Sequence, residues 1–262
     1  MGDAILKELA GLRKAYNEQP KVFSAILFGP KGVGKTTSLR TAVKPVLLFS
    51  FDPQGPLVLQ NEIDKGEVIV VPFEKENPDK PEVFRNFEKE YQRLEKLGIF
   101  EAIGTVAIDS ITTLSGAIML QVLKDAGRLS KYPQQNDYPM MMSTLKKTVL
   151  KILGTPCHTI FIGHVDQTKD DLSGIVQYVP DMVGKLKVQI PLLFSEMYFV
   201  ESDTNDKGAW QTRFYTRSTK RISASSRLAA AGTLDAIEPA DFKYLLKKAG
   251  WPCDDKPLLL GE

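Results

Sequence analysis

The sequence has little cysteine, no long apolar run and almost no net charge. Cys157 and Cys253 are the two cysteines among 262 residues, which argues against a disulfide framework and fits a reducing cytoplasm. No apolar run approaches the ~18 residues that a membrane span requires, and the first residues lack the apolar core of a signal peptide. The formal net charge of +2 neither demands nor excludes a polyanionic partner. We expect a soluble cytoplasmic protein with no membrane partner, on which any nucleic-acid surface is local.

A glycine-rich segment fits the phosphate-binding pattern G-x-x-x-x-G-K-[ST], the Walker A motif. The glycines let successive backbone N–H groups point at phosphates, Lys35 would reach the β- and γ-phosphates, and the Thr36 hydroxyl would ligate Mg²⁺. An ordinary glycine-rich turn is the alternative, but a strand before the loop and a helix after it favour nucleotide binding. The predicted nucleotide-binding residues are Gly29, Pro30, Lys31, Gly32, Val33, Gly34, Lys35, Thr36 and Thr37.

Apolar and amphipathic segments alternate along the chain, which predicts an α/β fold with a mostly parallel central sheet and its ligand at the carboxyl edge. The predicted strands cover 21–28, 45–52, 68–71, 105–109 and 159–163, and the predicted helices cover 4–16, 37–43, 81–97, about 140–153 and about 239–249.

Beyond residue 171 the pattern changes to short strand-like segments separated by polar turns. Segments 174–179, 196–202 and 209–217 predict antiparallel strands that extend the same sheet, with a hairpin turn over 203–208. No internal repeat or linker divides the chain, so we expect one main domain. The predicted boundaries are an N-terminal helix over 1–20, the main domain over 21–250 and an irregular tail over 251–262.

Asp109 supplies the acidic partner that a phosphate loop needs to hold its metal. It ends an apolar strand and precedes Ser110, which is placed to cap the next helix. An aspartate that only begins a helix would leave the same local sequence. The phosphate loop upstream favours the metal role, so Thr36 and Asp109 are the predicted Mg²⁺ residues.

A strand that ends in Ile108-Asp109-Ser110 resembles the RecA-type ATPases rather than the GTPases. The chain is more closely similar to the phage-encoded RecA-like nucleotide-binding proteins, which include ATP-dependent single-strand annealing recombinases. The resemblance implies a RecA-like P-loop NTPase domain over 21–250 in the host cytoplasm, with ATP and Mg²⁺ as cofactors. It also implies a homo-oligomeric ring or filament and DNA-stimulated ATP hydrolysis. The shared features are the loop Gly29–Thr37, the strand ending at Asp52, Ile108-Asp109-Ser110, Ile162-Gly163-His164, Val183-Gly184-Lys185 with Ile190-Pro191, Phe194 through Phe199, and the basic stretch from Arg217 to Arg227.

The same resemblance implies catalytic roles for Asp52 and His164. In RecA-type ATPases an acid at the end of the strand after the phosphate-loop helix polarises the attacking water, and Asp52 holds that position, although the family more often uses glutamate. A turn-forming aspartate before Pro53 is the alternative. His164 follows an apolar strand, where related hexameric motors place a residue that senses the γ-phosphate; a structural histidine is the other interpretation.

The basic residues Lys220 and Arg221 follow a late strand. RecA-type rings and filaments insert Lys or Arg from a neighbouring subunit into the site, where the cation stabilises charge in the transition state. The resemblance makes Lys220 and Arg221 the candidates for this role. A solvated basic face, or one that touches DNA phosphates, is the competing interpretation.

The sequence favours ATP over GTP as the nucleotide. Thr168-Lys169-Asp170-Asp171 formally matches the guanine motif [NT]KxD, but it does not begin at the end of a strand. Asp109 is also not followed by the D-x-x-G pattern of GTPases. No residue identifies the base pocket.

The resemblance places two loops that would bind single-stranded DNA at about 127–139 and 165–175. The first interleaves Arg128, Lys131, Tyr132 and Tyr138, as phosphate tracking and base stacking require. The second carries Lys169 with an excess of aspartates, which would repel phosphate. Two hypotheses therefore stand: a DNA-dependent ATPase of phage recombination, or a nucleotide-dependent assembly module without DNA activity. A small-molecule phosphotransferase ranks third, because an arginine-rich lid is not evident.

Overall fold

The computed structural model describes residues 2–18, 21–169, 174–204 and 208–259. The helices are α1 (Gly2–Asn17), α2 (Gln60–Asp64), α3 (Val83–Lys96), α4 (Ile99–Ala102), α5 (Ile111–Asp125), α6 (Asp137–Leu153), α7 (Leu186–Gln189), α8 (Arg227–Ala230) and α9 (Phe242–Lys248). The strands are β1 (Ser24–Phe28), β2 (Val46–Ser50), β3 (Val68–Pro72), β4 (Thr105–Asp109), β5 (His158–Gly163), β6 (Val165–Lys169), β7 (Val176–Pro180), β8 (Glu196–Thr204), β9 (Trp210–Tyr215), β10 (Ser225–Ser226) and β11 (Ile237–Pro239). Short 3₁₀ helices cover Thr37–Thr41, Gly55–Leu59 and Pro191–Leu193.

Within the described ranges, one large sheet has the strand order β11-β9-β8-β1-β5-β4-β2-β3, and β10 pairs with β8. The pairs from β8 through β3 are parallel, whereas β9, β10 and β11 pair antiparallel. The predicted α/β fold, a mostly parallel sheet with antiparallel strands toward the end of the chain, is confirmed. The non-sequential order places β1 in the middle of the sheet, so the loop that follows β1 has neighbours on both sides.

The central strands β1, β2, β4 and β5 are buried on both faces, which explains why they are mostly apolar runs. Successive residues of β1 point to opposite sides, so Ile26 and Phe28 join one buried cluster while Ala25 and Leu27 join the other. Helices α3, α5 and α6 cover the first face, and α8, α9 and the 3₁₀ helix Thr37–Thr41 cover the second. The amphipathic pattern predicted for 81–97 forms α3, with Phe87 and Tyr91 buried.

Two predicted elements differ from the structure. The helix predicted over 37–43 is only the 3₁₀ turn Thr37–Thr41, because the backbone is already extended at Ala42, with ψ 157°. The strand predicted over 174–179 does not extend the main sheet. It is β7, which pairs antiparallel with β6 in a separate hairpin, because β6 lies immediately before it in the sequence and offers a local partner.

The chain begins with a helix, whereas the described residues of its tail contain neither helix nor strand. The predicted N-terminal helix forms as α1, with Ile5, Leu6 and Leu9 exposed to solvent. The described part of the tail, 251–259, contains neither helix nor strand, as predicted, and Asp255 accepts a hydrogen bond from the Lys44 backbone N–H. None of the helices in the described ranges is both long and apolar enough to span a membrane. The turn predicted over 203–208 falls partly outside the described residues.

Candidate active site

The carboxyl ends of four neighbouring parallel strands border one cleft. The phosphate loop follows β1, Asp52 follows β2, Asp109 ends β4 and His164 follows β5. These groups line a cleft of about 700 Å³, within the usual range for small-molecule sites. Ligands of open parallel sheets bind at this edge. The fold therefore brings together side chains that are far apart in the sequence.

The phosphate loop contributes to the cleft through both backbone and side chains. Gly34 has φ +90°, and a Cβ atom there would lie 2.7 Å from Oγ1 of Thr212 on β9. This position therefore requires glycine both for its backbone and for its space. Val33 points away from the cleft and packs against the buried cluster on the second face of the sheet. The loop residues that line the cleft are Lys31, Gly32, Gly34, Lys35, Thr36 and Thr37.

Lys35 folds back onto its own loop. Its Nζ donates to the backbone carbonyls of Gly29 and Pro30, at 2.8 and 2.7 Å, and the side chain is almost fully buried. Burial lowers the pKa of Lys35, and the nearby carboxylates of Asp109 and Asp52 act in the opposite direction. A triphosphate would provide Nζ with charged acceptors in place of two neutral carbonyls.

Thr36 and Asp109 meet directly. The Thr36 hydroxyl donates to Oδ2 of Asp109 at 2.6 Å. Asp109 is 3% exposed, and burial raises the pKa of Asp109 to about 6, assisted by the negative charge of Asp52 and opposed by the Thr36 hydrogen bond. A bound cation would favour the ionised form.

The donor set fits Mg²⁺. A hydroxyl and a carboxylate are oxygen ligands, which this ion prefers, and Mg²⁺ is usually held by one or two carboxylates together with substrate phosphates and water. In the described ranges no cluster of three or more His, Cys, Asp or Glu side chains forms an all-protein metal cage. Thr36 and Asp109 would therefore hold the ion jointly with the nucleotide.

Asp52 is held by three side-chain donors. Its Oδ1 accepts from the hydroxyls of Thr113 and Ser110, the latter at 2.9 Å, and His164 Nε2 lies 3.2 Å from Oδ2. Burial raises the pKa of Asp52, but the hydrogen bonds from His164, Thr113 and Ser110 outweigh it and leave the pKa below its ordinary value. The carboxylate is therefore ionised at neutral pH, fixed in orientation, and partly exposed to the cleft.

The sequence interpretation missed Thr113, although the local pattern contained a signal for it. Ser110 caps α5 as predicted, accepting from the Thr113 backbone N–H at 3.2 Å. A hydroxyl residue three positions after a cap lies on the same side of the first helical turn. Thr113 consequently lines the cleft beside Asp52.

His164 is attached to the site at both its ring and its backbone. The hydrogen bond to Asp52 raises the pKa of His164, and partial burial opposes this shift. Its backbone N–H donates to Oγ1 of Thr112 at 3.1 Å, and its carbonyl accepts from the Asp181 N–H. The ring is therefore oriented by Asp52 through Nε2.

Lys220 and Arg221 do not line the cleft in this single chain. They are exposed in the connection between β9 and β10. The Arg221 carbonyl accepts from the Tyr178 N–H at 2.7 Å, which attaches this connection to the β6–β7 hairpin. Both cations therefore lie outside the cleft of their own chain.

The two segments predicted to bind DNA contain an ion pair and a strand that the sequence did not predict. Arg128 is bound to the buried carboxylate of Asp137, so its guanidinium already has an ion-pair partner within the chain, whereas Tyr132 is 93% exposed. Within the described part of the second segment, residues 165–169 form β6, which pairs with β7, and Asp166 forms an ion pair with Lys187 on α7. The aspartates at 170 and 171 lie outside the described residues.

Comparison with known proteins identifies the family. Residues 22–228, well over half of the chain, match the family model described as an AAA domain. No curated protein matches the sequence. The chain belongs to the AAA domain family and is an AAA-type P-loop ATPase domain, for which nucleotide binding is the shared property.

Solved structures that match include ATPases of type III secretion systems. One is a prototypical ATPase from the type III secretion system of pathogenic bacteria, with 14% identity, coverage of 82% of this chain and 55% of that chain, and a TM-score of 0.42. Another is the assembled ATPase EscN from enteropathogenic E. coli, with 14% identity, coverage of 83% and 46%, and a TM-score of 0.39. The chain spans about half the length of these structures.

Proposed function

We propose that this AAA-type domain hydrolyses ATP to ADP and phosphate in the cleft between β1, β2, β4 and β5. The observation that carries the proposal is the meeting of the phosphate loop, the Thr36–Asp109 pair and the oriented Asp52 carboxylate at one sheet edge. Phosphoryl transfer needs little covalent chemistry from the protein, but it needs positioning and charge stabilisation. Each of these residues supplies one of those two functions.

Each residue of the cleft has a separate role in the proposed reaction. Lys35 would leave the carbonyls of Gly29 and Pro30 and bind the β- and γ-phosphates. Mg²⁺ held beside Thr36 and Asp109 would neutralise charge on the phosphate oxygens. Asp52, ionised and fixed by its donors, would accept a hydrogen bond from the attacking water and orient it.

His164 is proposed to sense the γ-phosphate. Its ring is 41% exposed to the cleft and lies 3.2 Å from Asp52 through Nε2. A hydrogen bond from the imidazole to a γ-phosphate oxygen would therefore alter the group that orients the water. The contact between His164 and Asp52 would therefore couple binding of the γ-phosphate to orientation of the attacking water.

The test of hydrolysis is phosphate release by purified protein with Mg²⁺ and ATP. Lys35→Ala is expected to lower turnover by a factor on the order of 10² or more, the cost of removing one preorganised charge-stabilising donor. Lys21→Ala, at an exposed lysine that does not line the cleft, is the matched control and should retain wild-type turnover. Asp52→Asn is expected to bind ATP and hydrolyse it slowly. Near-normal hydrolysis by Lys35→Ala would overturn the proposal.

We further propose that the protein works as a ring or filament in which Lys220 or Arg221 of one copy enters the cleft of the next. The exposure of both residues, away from their own cleft, supports a role in trans. The test is to mix Lys35→Ala protein with the double variant Lys220→Ala/Arg221→Ala. Because mixed assemblies contain some clefts with an intact loop and an intact pair of cations, the mixture should be more active than either variant alone. Activity no higher than the average of the two would reject a shared site.

Single-stranded DNA is a second candidate partner, within a recombination or annealing role of the phage RecA-like kind. Lys131 and the 93% exposed Tyr132 support it, since together they offer a cation and a stacking face. ATP turnover should then rise with single-stranded DNA, and DNA binding should weaken steeply as salt increases. If turnover is unchanged by saturating DNA while ATP-dependent oligomers form, the protein is a nucleotide-dependent assembly module instead.

A further inference from the structure

Asp52 lies in a tight turn over residues 50–54, which joins β2 to the 3₁₀ helix Gly55–Leu59. The Gly55 N–H closes this turn by donating to the Asp52 carbonyl at 3.2 Å. Gln54 at the end of the turn has φ +59° and ψ 11°, and across the described ranges it is the one non-glycine residue with a positive φ. This conformation is unfavourable for a residue with a side chain, so it persists only where surrounding contacts hold it.

Glu74 provides such contacts from the neighbouring strand. It follows β3, which pairs with β2. Its Oε1 accepts from the Ser50 hydroxyl at 3.0 Å, and its Oε2 accepts from the Gln54 N–H at 3.1 Å. The Phe73 N–H donates to the Ser50 carbonyl at 2.7 Å. One carboxylate therefore binds both ends of the turn 50–54, with Asp52 in the middle.

The Asp52 backbone is placed by this turn, whereas the hydroxyl and imidazole donors described above orient only its carboxylate. The Asp52 N–H donates to the Asp109 carbonyl at 3.2 Å, so the turn also sets the position of Asp52 relative to the predicted metal residue. Glu74 is half-buried and does not line the cleft. It therefore acts on the cleft through the turn and not by direct contact with a ligand.

We propose that Glu74 is a positioning residue for ATP hydrolysis, which fixes the turn 50–54 and thereby holds Asp52 where it orients the attacking water. This inference rests on the proposed function, in which Asp52 has that role. ATP itself is held by the phosphate loop, so the contribution of Glu74 belongs to turnover and not to nucleotide affinity.

The contacts of Glu74 require hydrogen-bonding atoms at two places, but they do not require its negative charge. Glu74→Gln can keep both contacts, because the amide oxygen accepts from the Gln54 N–H while the NH₂ group donates to the Ser50 hydroxyl. Glu74→Ala keeps neither contact. The two variants therefore separate positioning by hydrogen bonds from an effect of the Glu74 charge on the cleft.

The test is ATP turnover with Mg²⁺ by wild type, Glu74→Ala and Glu74→Gln, at a temperature below the thermal midpoint of each protein. Glu76→Ala is the matched control, because Glu76 lies in the same connection between β3 and α3 and does not line the cleft. Its Oε1 accepts from the backbone N–H groups of Asn77, Glu82 and Val83, none of which belongs to the turn 50–54. Glu76→Ala thus removes comparable bonds without releasing the turn.

We expect Glu74→Ala to lower kcat about tenfold with little change in KM, less than the roughly 10²-fold that a misplacement of about 1 Å can cost. Glu74→Gln should retain most of the wild-type kcat, and Glu76→Ala should lose stability but keep its kcat. A wild-type kcat in Glu74→Ala would overturn the inference. Equal losses in Glu74→Ala and Glu74→Gln would also overturn it, because the effect would then belong to the charge.

A double-mutant cycle tests whether Glu74 acts through Asp52. The Asp52→Asn background has no carboxylate to position, so Glu74→Ala should lower the residual kcat by less than about twofold. A further tenfold loss there would overturn the positioning role and leave the proposed ATPase function intact. If wild-type protein releases no phosphate, the proposed function fails and the positioning role fails with it.

Ser50→Ala gives the same readout if Glu74→Ala does not fold. It removes one of the two donors and leaves Glu74 in place, so it should lower kcat while Asp52 is present and have little effect in the Asp52→Asn background. A wild-type kcat in Ser50→Ala would then count against the inference.

Discussion

Replacing the glycines of the phosphate loop provides a quantitative test of how the loop is held. Gly32 and Gly34 both have positive φ, +82° and +90°. They differ in their surroundings, because a Cβ atom on Gly32 would meet nothing within 4 Å, whereas one on Gly34 would lie 2.7 Å from Oγ1 of Thr212. Gly32→Ala therefore changes the backbone alone, and Gly34→Ala changes the backbone and the packing.

The two costs can be separated. A side chain in a left-handed conformation costs about 1–2 kcal/mol, which is the expected destabilisation for Gly32→Ala. Overpacking adds about 1–3 kcal/mol, so Gly34→Ala should cost about 2–5 kcal/mol. Thr212→Ala removes the hydroxyl and leaves the Thr212 Cβ atom at 3.5 Å, an ordinary contact. In that background, Gly34→Ala should cost no more than Gly32→Ala does in the wild type.

The assay is urea unfolding of the four variants and the wild type at equilibrium, without nucleotide, so that ligand binding does not alter the apparent stability. The coupling between positions 34 and 212 follows from the double-mutant cycle. Equal destabilisation by Gly32→Ala and Gly34→Ala would refute the reasoning. So would an undiminished cost of Gly34→Ala in the Thr212→Ala background.

Three further outcomes are expected. Thr113→Val removes a donor to Asp52 at similar side-chain volume, so it should lower kcat about tenfold with little change in KM. Thr113→Ser keeps the hydroxyl and should restore kcat. Equal rates for the two variants would show that the Thr113 hydroxyl has no role in turnover. Burial lowers the pKa of His158 to about 4, and the charge of Lys256 adds to the shift. The unfolded chain therefore takes up a proton below pH 6.5 that the folded chain takes up only near pH 4. The free energy of unfolding should therefore fall by up to about 3 kcal/mol as the pH is lowered from 6.5 to about 4. Urea unfolding of His158→Asn over the same pH range should show a smaller change in the free energy of unfolding. Arg128→Ala deprives a buried carboxylate of its ion pair, so the thermal midpoint should drop without DNA present; an unchanged midpoint would return Arg128 to the candidate DNA surface.

The central strands of the main sheet were predictable because each is recognisable from its own short stretch of sequence. Each of β1, β2, β4 and β5 is a short apolar run with a polar or glycine boundary, and burial on both faces of a parallel sheet requires that composition. The segment after the phosphate loop was predicted less well, since the backbone becomes extended at Ala42 and leaves only the 3₁₀ turn Thr37–Thr41. The strand predicted over 174–179 forms as β7, but its partner β6 was not predicted, because the residues of β6 are mostly polar and exposed and lack an apolar face.

The sequence by itself determined the phosphate loop, the strand that ends at Asp109 and the cap at Ser110, because each of these depends on residues adjacent in the chain. Tertiary structure decided the contacts between distant residues. It joined Thr113 and His164 to Asp52, committed Arg128 to a structural ion pair, and placed Leu57 and Val58 beside the loop. The physical reason is the parallel sheet, whose strand order aligns carboxyl ends that the chain separates by many residues, so that neighbours in the cleft are not neighbours in the sequence.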